Sequence, residues 1–206
     1  CLSELNEGDE IQDITGPLGC PTEIEGDRVA VVGGGVGLAI AYPVARTLCE
    51  QGKKVSVIMG ARNKDLLILF VQFASLPLEN LFITTDDGSM GEKGVVTLPL
   101  RRLCETDSID SCFCVGPVPM MKFSTLTCRE FKIPIASLNP IMVDGTGMCG
   151  CCRVEVGGET RFACVDGPDF DANLVDWDDL AHRQASYKAE EAASIKHHEE
   201  DCACQK

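Results

Sequence analysis

Asp144, Cys149, Cys152 and Cys164 are separated by four, two and eleven residues in the stretch DGTGMCGCCRVEVGGETRFAC, which spans residues 144 to 164. Thiolate sulfur suits soft and borderline metals, and a C-x4-C-x2-C run followed by a distant cysteine is the spacing of a plant-type 2Fe–2S cluster. Only the first position departs from it, with a carboxylate in place of a thiolate. Carboxylate oxygen also binds iron, but as a harder donor that alters the potential. Glycines at 145, 147 and 150 let the backbone wrap closely around a cofactor. A zinc site normally presents two close cysteine pairs, or cysteine with histidine. No histidine lies between 139 and 175, so the spacing favours 2Fe–2S over zinc or a metal-free turn. Cys151 cannot share the inward direction of its neighbour Cys152 and is left outside the ligand set.

A second group of residues could hold a phosphate-bearing ligand. In VVGGGVGLAIAYP, Gly33, Gly34, Gly35 and Gly37 stand between an apolar β-branched run and a helical one. There the backbone must turn sharply and can admit a pyrophosphate to the helix amides. The six-residue dinucleotide fingerprint is not met, since neither frame ends in Gly or Ala, and a ligand-free turn is the alternative. In GARNKD, Arg62, Lys64 and Asp65 lie together. An acidic residue there suits a ribose 2′-hydroxyl and a basic one a 2′-phosphate, so NAD(H) and NADP(H) both stay open. TTDDGSMGEKG brings Asp86, Asp87, Gly88 and Ser89 to the same edge, where contact with a nicotinamide is expected. Paired Asp before Gly-Ser is more often turn chemistry than a metal site. Gly116 and Pro117 break a fourth strand at that edge, with Met120 in the helix beyond. Cys114 and Met121 read as packing, and KHHEEDCACQK reads as a polar end rather than a metal site.

These residues need a frame that brings them to one edge. RVAVVG, KVSVIMGA, NLFITTDD, SCFCVG and IPIASLN read as strands, alternating with four helix-like runs. That order implies an α/β domain with a five-stranded parallel sheet. Pro43 places the start of the first helix at about Ala39 to Ala41, and Gly52 caps its end. Lys64 to Leu76 is read as one helix-like apolar segment. The expected divisions are a linker at 1–25, a nucleotide-binding domain at 26–138, a cysteine-rich module at 139–176, and a helix fraying into a polar tail at 177–206. The opening CLSELNEGDEIQDITGPLG reads as the end of something longer, with a strand that lacks its partners.

The totals narrow the function classes. A net charge of −14 argues against nucleic acid, which needs a surplus of Lys and Arg. The longest apolar run, DLLILFVQFASLPL, is too short for a membrane span. No secretory signal is evident, so a cytoplasmic location is expected. Thirteen cysteines are then better read as reduced, metal-bound or catalytic than as a disulfide framework.

GPLGCPTE, GGGVGLA, GARNKDL, TTDDGSMGEKGVVT, GPVPMM and SLNPIMVDGTGMCGCCRVEVGGETRFACVDGPDFDANLVDWDDL resemble the small subunit of NADH-dependent ferredoxin:NADP oxidoreductases. That family is also called the sulfide dehydrogenase alpha subunit, and the likeness runs from residue 8 to about 188. More distantly the chain is similar to the electron-transfer subunit of dihydroorotate dehydrogenase, which has cysteine where Asp144 stands. The first resemblance implies that Asp144 ligates the cluster with Cys149, Cys152 and Cys164. It implies a ferredoxin-reductase-like architecture: a flavin barrel, an NAD-binding α/β domain and a small C-terminal 2Fe–2S module. FAD would belong to the barrel, of which GDEIQDITGPLG would be the last strand. It further implies a heterodimer whose larger subunit holds another flavin and more clusters and deals with ferredoxin or another carrier. Two departures stand out: Ile40-Ala41 with a late Pro43, and an apolar LLILFVQF where the family tends to be acidic. An iron–sulfur module that has lost its flavin domain is the alternative from another class.

Overall fold

The computed structural model describes residues 5–106, 109–133, 135–136, 138 and 140–204. Two β-branched runs supply its centre, β1 (Arg28–Gly34) and β2 (Lys54–Ala61), buried along almost their whole length. β3 (Asn80–Thr85), the two-residue β4 (Glu92–Lys93), β5 (Ser111–Val115) and β6 (Ile135–Ala136) complete a sheet of order β4-β3-β2-β1-β5-β6. Every pairing is parallel. The five expected strands are all present, and β4 adds a short edge.

Side chains alternate across β1, so each face meets a different helix layer. Val29 and Val31 pack with Leu38, Ala41 and Ala45 of α1 (Gly37–Glu50) and Phe73 of α2 (Phe70–Ala74). Ala30 and Val32 share the other core with Leu100 and Cys104 of α3 (Thr97–Glu105) and Met121 and Cys128 of α4 (Val118–Glu130). Each Val or Phe so buried contributes about 1.5–3 kcal/mol. The chain moves outward from β1 through β2 and β3, then returns to the far side of β1 as β5. The order therefore reverses between β1 and β5, where open α/β sheets bind ligands at the strand carboxyl ends.

Four local expectations are corrected. Helix α1 starts at Gly37, ahead of the expected Ala39 to Ala41. The Leu38 and Ala39 N–H groups donate to Gly35 and Val36 carbonyls at 3.2 and 2.9 Å, so the helix is nucleated before Pro43 forfeits its single bond. The apolar segment from Lys64 to Leu76 is broken: a 3₁₀ turn at Lys64–Leu66 and α2 are separated by Leu69 at φ 58°. Leu67 and Phe73 both enter one core, whereas six residues of continuous helix would turn them about 120° apart. The tail is two helices, α5 (Trp177–Gln184) and α6 (Lys188–Cys204). The first ends where its buried stripe, Trp177 and Leu180, runs out. Finally, residues 10–25 form no strand; residues 18–22 lie against the cysteine-rich module instead, the Cys20 N–H donating to Gly167 O at 2.6 Å.

The start of β1 is fixed by Asp110, whose Oδ2 accepts from the Asp27 and Arg28 N–H groups at 3.0 and 2.9 Å while Oδ1 meets the Arg28 guanidinium at 3.1 Å. Those backbone donors, and secondarily the guanidinium, hold its carboxyl below the usual carboxylate range. A depressed folded-state value means the contribution is complete above about pH 4 and is lost as pH falls through the lower folded value. Asp110→Ala is expected to cost about 1 kcal/mol at neutral pH, because both side chains stand partly in water. Thermal melts should show the gap between variant and parent closing in acid.

Candidate functional site

The carboxyl ends of β1, β2 and β3 open into a crevice of about 960 Å³. Gly34 and Gly35, Gly60 to Arg62, Thr84 and Asp86 form its strand-end floor, Pro117 and Met120 one side, and Val96 to Leu98 another. The volume suits a large cofactor fragment. The expected glycines divide by role. A Cβ on Gly33 would meet Leu38 Cδ2 at 2.7 Å, and one on Gly37 would overlap the Val115 carbonyl; both serve close packing of α1. Gly34 faces Met120, and Gly116 lets the β5–α4 loop pass beside Gly34, its hypothetical Cβ lying 3.1 Å from Gly34 O.

Asp87, Gly88 and Ser89 form a turn beside the crevice lining. Asp87 Oδ1 accepts from the Ser89 N–H at 2.9 Å, and hydrogen bonds from the Ser89 hydroxyl and amide hold its carboxyl below the usual range. Ser89 Oγ accepts from the Lys64 N–H at 2.8 Å, tying this turn to the end of β2. Asp87 is thus engaged in its own turn. Cys114 is a core thiol, pushed up to about 12 chiefly by burial, which makes it a poor nucleophile.

The cysteine-rich module is built on a hairpin, β7 (Arg153–Val156) and β8 (Glu159–Phe162). Gly157 and Gly158, both at positive φ, make the two-residue turn that suits strand twist. The resulting register pairs Arg153 with Phe162 and so sets Cys152 beside Cys164, with their sulfurs 3.2 Å apart. That thiol–thiol hydrogen bond raises the Cys164 thiol, while the Gly147 N–H works against the rise. Asp144 stands before the hairpin: Oδ1 accepts from the Thr146 N–H and Oδ2 from the Cys149 N–H, each at 2.7 Å. These donors, Thr146 first, keep the carboxyl below its usual range, and each oxygen retains a lone pair for a cation.

The four donors therefore come as two pairs, Asp144 with Cys149 and Cys152 with Cys164. Among the described residues no three His, Cys, Asp or Glu side chains converge as a single ion demands. Two pairs suit two irons, each taking two protein ligands. The loop also fits a bulky group: Gly145, Gly147 and Gly150 are all at positive φ, and none of these cysteines is in a disulfide.

Residues 139–176 match the iron–sulfur cluster binding domain of dihydroorotate dehydrogenase B. A Thermotoga maritima protein, described as a dihydroorotate dehydrogenase B (NAD(+)) electron transfer subunit homolog, is 52% identical over 197 residues, covering 95% of this chain and 69% of the relative. The chain belongs to this electron-transfer subunit family. A member from Streptococcus pneumoniae is 36% identical over 182 residues, covering 84% of this chain and 70% of its own. A solved structure of NADH-dependent reduced ferredoxin-NADP oxidoreductase, described in terms of flavin-based electron bifurcation, superposes with a TM-score of 0.84. It is 51% identical and covers 95% of this chain and 71% of its own. The resemblance read from the sequence motifs holds, and with it the ferredoxin-reductase-like fold and an oxidoreductase role.

In this electron-transfer subunit homologue, sequence reasoning missed one wall of the crevice. Met120, Phe123, Thr127 and Glu130 recur at helical spacing along α4, and Arg101 of α3 grips Glu130 with two bonds of 2.8 and 3.1 Å. The stripe was readable as period; that it faces α3 across a cleft was not. Also missed were the ties from the crevice helix to the cluster module and to α5. Arg129 Nη2 donates to Asn173 O at 2.8 Å, and Lys122 Nζ to Asp178 Oδ1 at 2.6 Å. Thr22 Oγ1 donates to Asp169, which binds the linker to the same module. Among the described residues no helix is long and apolar enough to cross a membrane.

Proposed function

We propose that this chain is the electron-transfer subunit of a ferredoxin:NAD(P) oxidoreductase, passing electrons between NAD(H), FAD and a 2Fe–2S cluster to a larger partner subunit. The observation that carries it is the pairing of Asp144 with Cys149 and of Cys152 with Cys164 on a hairpin bolted to the crevice domain. Asp144 and Cys149 would hold one iron, Cys152 and Cys164 the other. The crevice at the β1–β5 reversal would take the nicotinamide dinucleotide, with its pyrophosphate over Gly35, where a Cβ would meet nothing within 4 Å and the ligand could approach the backbone. Arg62 and Asp86, at the neighbouring strand ends, would contact its ribose and nicotinamide portions. When bound, flavin supplies the conversion of a hydride pair into single electrons, and the cluster carries them one at a time. The chain's residues supply orientation and potential. No side chain need act as acid, base or nucleophile.

The relatives' description as electron transfer subunits supports a partner subunit, and ferredoxin would be served through it. A dihydroorotate dehydrogenase complex is the second reading, favoured by the family model over 139–176. The large subunit that co-purifies decides between them. Protein purified without oxygen is expected to contain iron and acid-labile sulfide in equal amounts, and to give a 2Fe–2S electron paramagnetic resonance signal on reduction. Colourless protein holding neither iron nor sulfide would end the proposal.

A further inference from the structure

The loop between Cys149 and Cys152 is held from a helix that belongs to neither the crevice nor the hairpin. Arg183, in the last turn of α5, donates from Nη2 to the Cys151 carbonyl at 3.2 Å. The Cys151 N–H donates to Cys149 Sγ at 3.5 Å. Cys151 is therefore gripped at both ends, its amide turned to a candidate ligand sulfur and its carbonyl to a cation. The helix behind the guanidinium is firmly seated. Asp176 Oδ1 accepts from the Asp178 and Asp179 N–H groups at 3.0 and 2.9 Å. The buried Trp177 donates from Nε1 to Ala172 O at 3.1 Å, Leu180 is buried in the α3–α4 core, and Lys122 of α4 holds Asp178. Arg183 is itself half-buried, where its charge is screened less than on an open surface.

We propose that Arg183 is a positioning residue for the iron–sulfur centre: its charge, held at the Cys149–Cys152 turn, raises the potential at which the centre accepts an electron. This rests on the reading of Asp144, Cys149, Cys152 and Cys164 as cluster ligands. One-electron reduction makes and breaks no bond and adds one unit of negative charge to the site. A fixed cation one residue from the ligands favours that reduced state, and hydrogen bonding in the same loop fixes where the sulfur points. A favourable contact with the carboxyl end of α5 is the purely structural role such an arginine could fill, and it would leave the potential unmoved.

The test uses the full chain loaded with iron and sulfide without oxygen. Midpoints are measured by dithionite titration, followed in the visible spectrum and by electron paramagnetic resonance. Arg183→Gln keeps a hydrogen-bond donor and removes the charge; Arg183→Lys keeps the charge and removes the planar fork. The Gln midpoint should fall below that of the parent, with Lys between them or at the parent value. A Gln chain with the parent's midpoint at equal iron content overturns the proposal. So do equal shifts in Gln and Lys, or a Gln chain that fails to retain iron, since either places the role in geometry or assembly rather than charge. A parent chain that takes up no iron and sulfide refutes the cluster reading itself, a separate result.

Discussion

Asp144→Ala should lower iron retention about tenfold or more, since loss of an outer partner of a metal ligand alone typically costs 10–100-fold. Two effects combine. The substitution removes an oxygen donor, and it frees the Thr146 and Cys149 N–H groups that the carboxylate now holds at 2.7 Å each. Cys149 then loses the tether that sets it beside its partner ligand. Because those amides hold the Asp144 carboxyl below its usual range, the donor is ionised throughout neutral and mildly acidic solution. Its acidity therefore gives no reason for iron loss near pH 5 to 6. Asp144→Cys keeps a fourth anionic donor of softer character and should retain iron while changing the resonance signal and the midpoint. Asp144→Asn keeps one accepting oxygen without the charge and should fall between Ala and the parent in iron content. Iron and sulfide analysis with spectra of the three variants checks this, and unchanged spectra in Asp144→Cys would remove Asp144 from the ligand set.

The parts of this molecule that were legible in the sequence are those whose chemistry is local. β1 and β2 announce themselves by runs of buried β-branched residues, and the β1–α1 turn by its cluster of glycines. The cysteine-rich loop is legible because the spacing of its candidate ligands is a property of the chain, and the Gly157-Gly158 turn then brings Cys164 back to Cys152. What stayed hidden depends on which surfaces meet. Leu69 breaks an apparently continuous apolar helix only because Leu67 and Phe73 must enter the same core. The α4 stripe has a helical period, yet its role follows from α3 standing opposite, clasped through Arg101 and Glu130. Arg183 is an ordinary helix-end arginine until the fold sets it at Cys151, 32 residues earlier.

Gly37→Ala should destabilise the protein by about 3 kcal/mol, near the upper end for overpacking, and lower the melting temperature by roughly 6–12 °C. The added Cβ would overlap the Val115 carbonyl oxygen and lie 2.8 Å from its carbon and 2.9 Å from Gly116 Cα. All three are backbone atoms of β5 and the loop that follows it. None can rotate aside, so α1 must lift from the sheet along the face that buries Leu38, Ala41 and Ala45. Gly34→Ala makes the contrasting case. Its Cβ would overlap the sulfur of Met120, with the methyl carbon at 3.2 Å and Pro117 Cδ at 3.3 Å; the two Met120 atoms are the movable end of a long side chain, and the proline must give by only a few tenths of an ångström. Met120 can swing away at small cost, but what it enters is the crevice whose wall it forms. The first variant should therefore lose stability ahead of any specific loss of nucleotide binding. The second should keep its melting temperature within a few degrees, on the order of 1 kcal/mol, and bind NADH more weakly. Thermal melts beside fluorescence titration with NADH separate the two. Equal melting losses in both variants would show that Met120 is locked, and that Gly34 too is a packing residue rather than part of a ligand-facing floor.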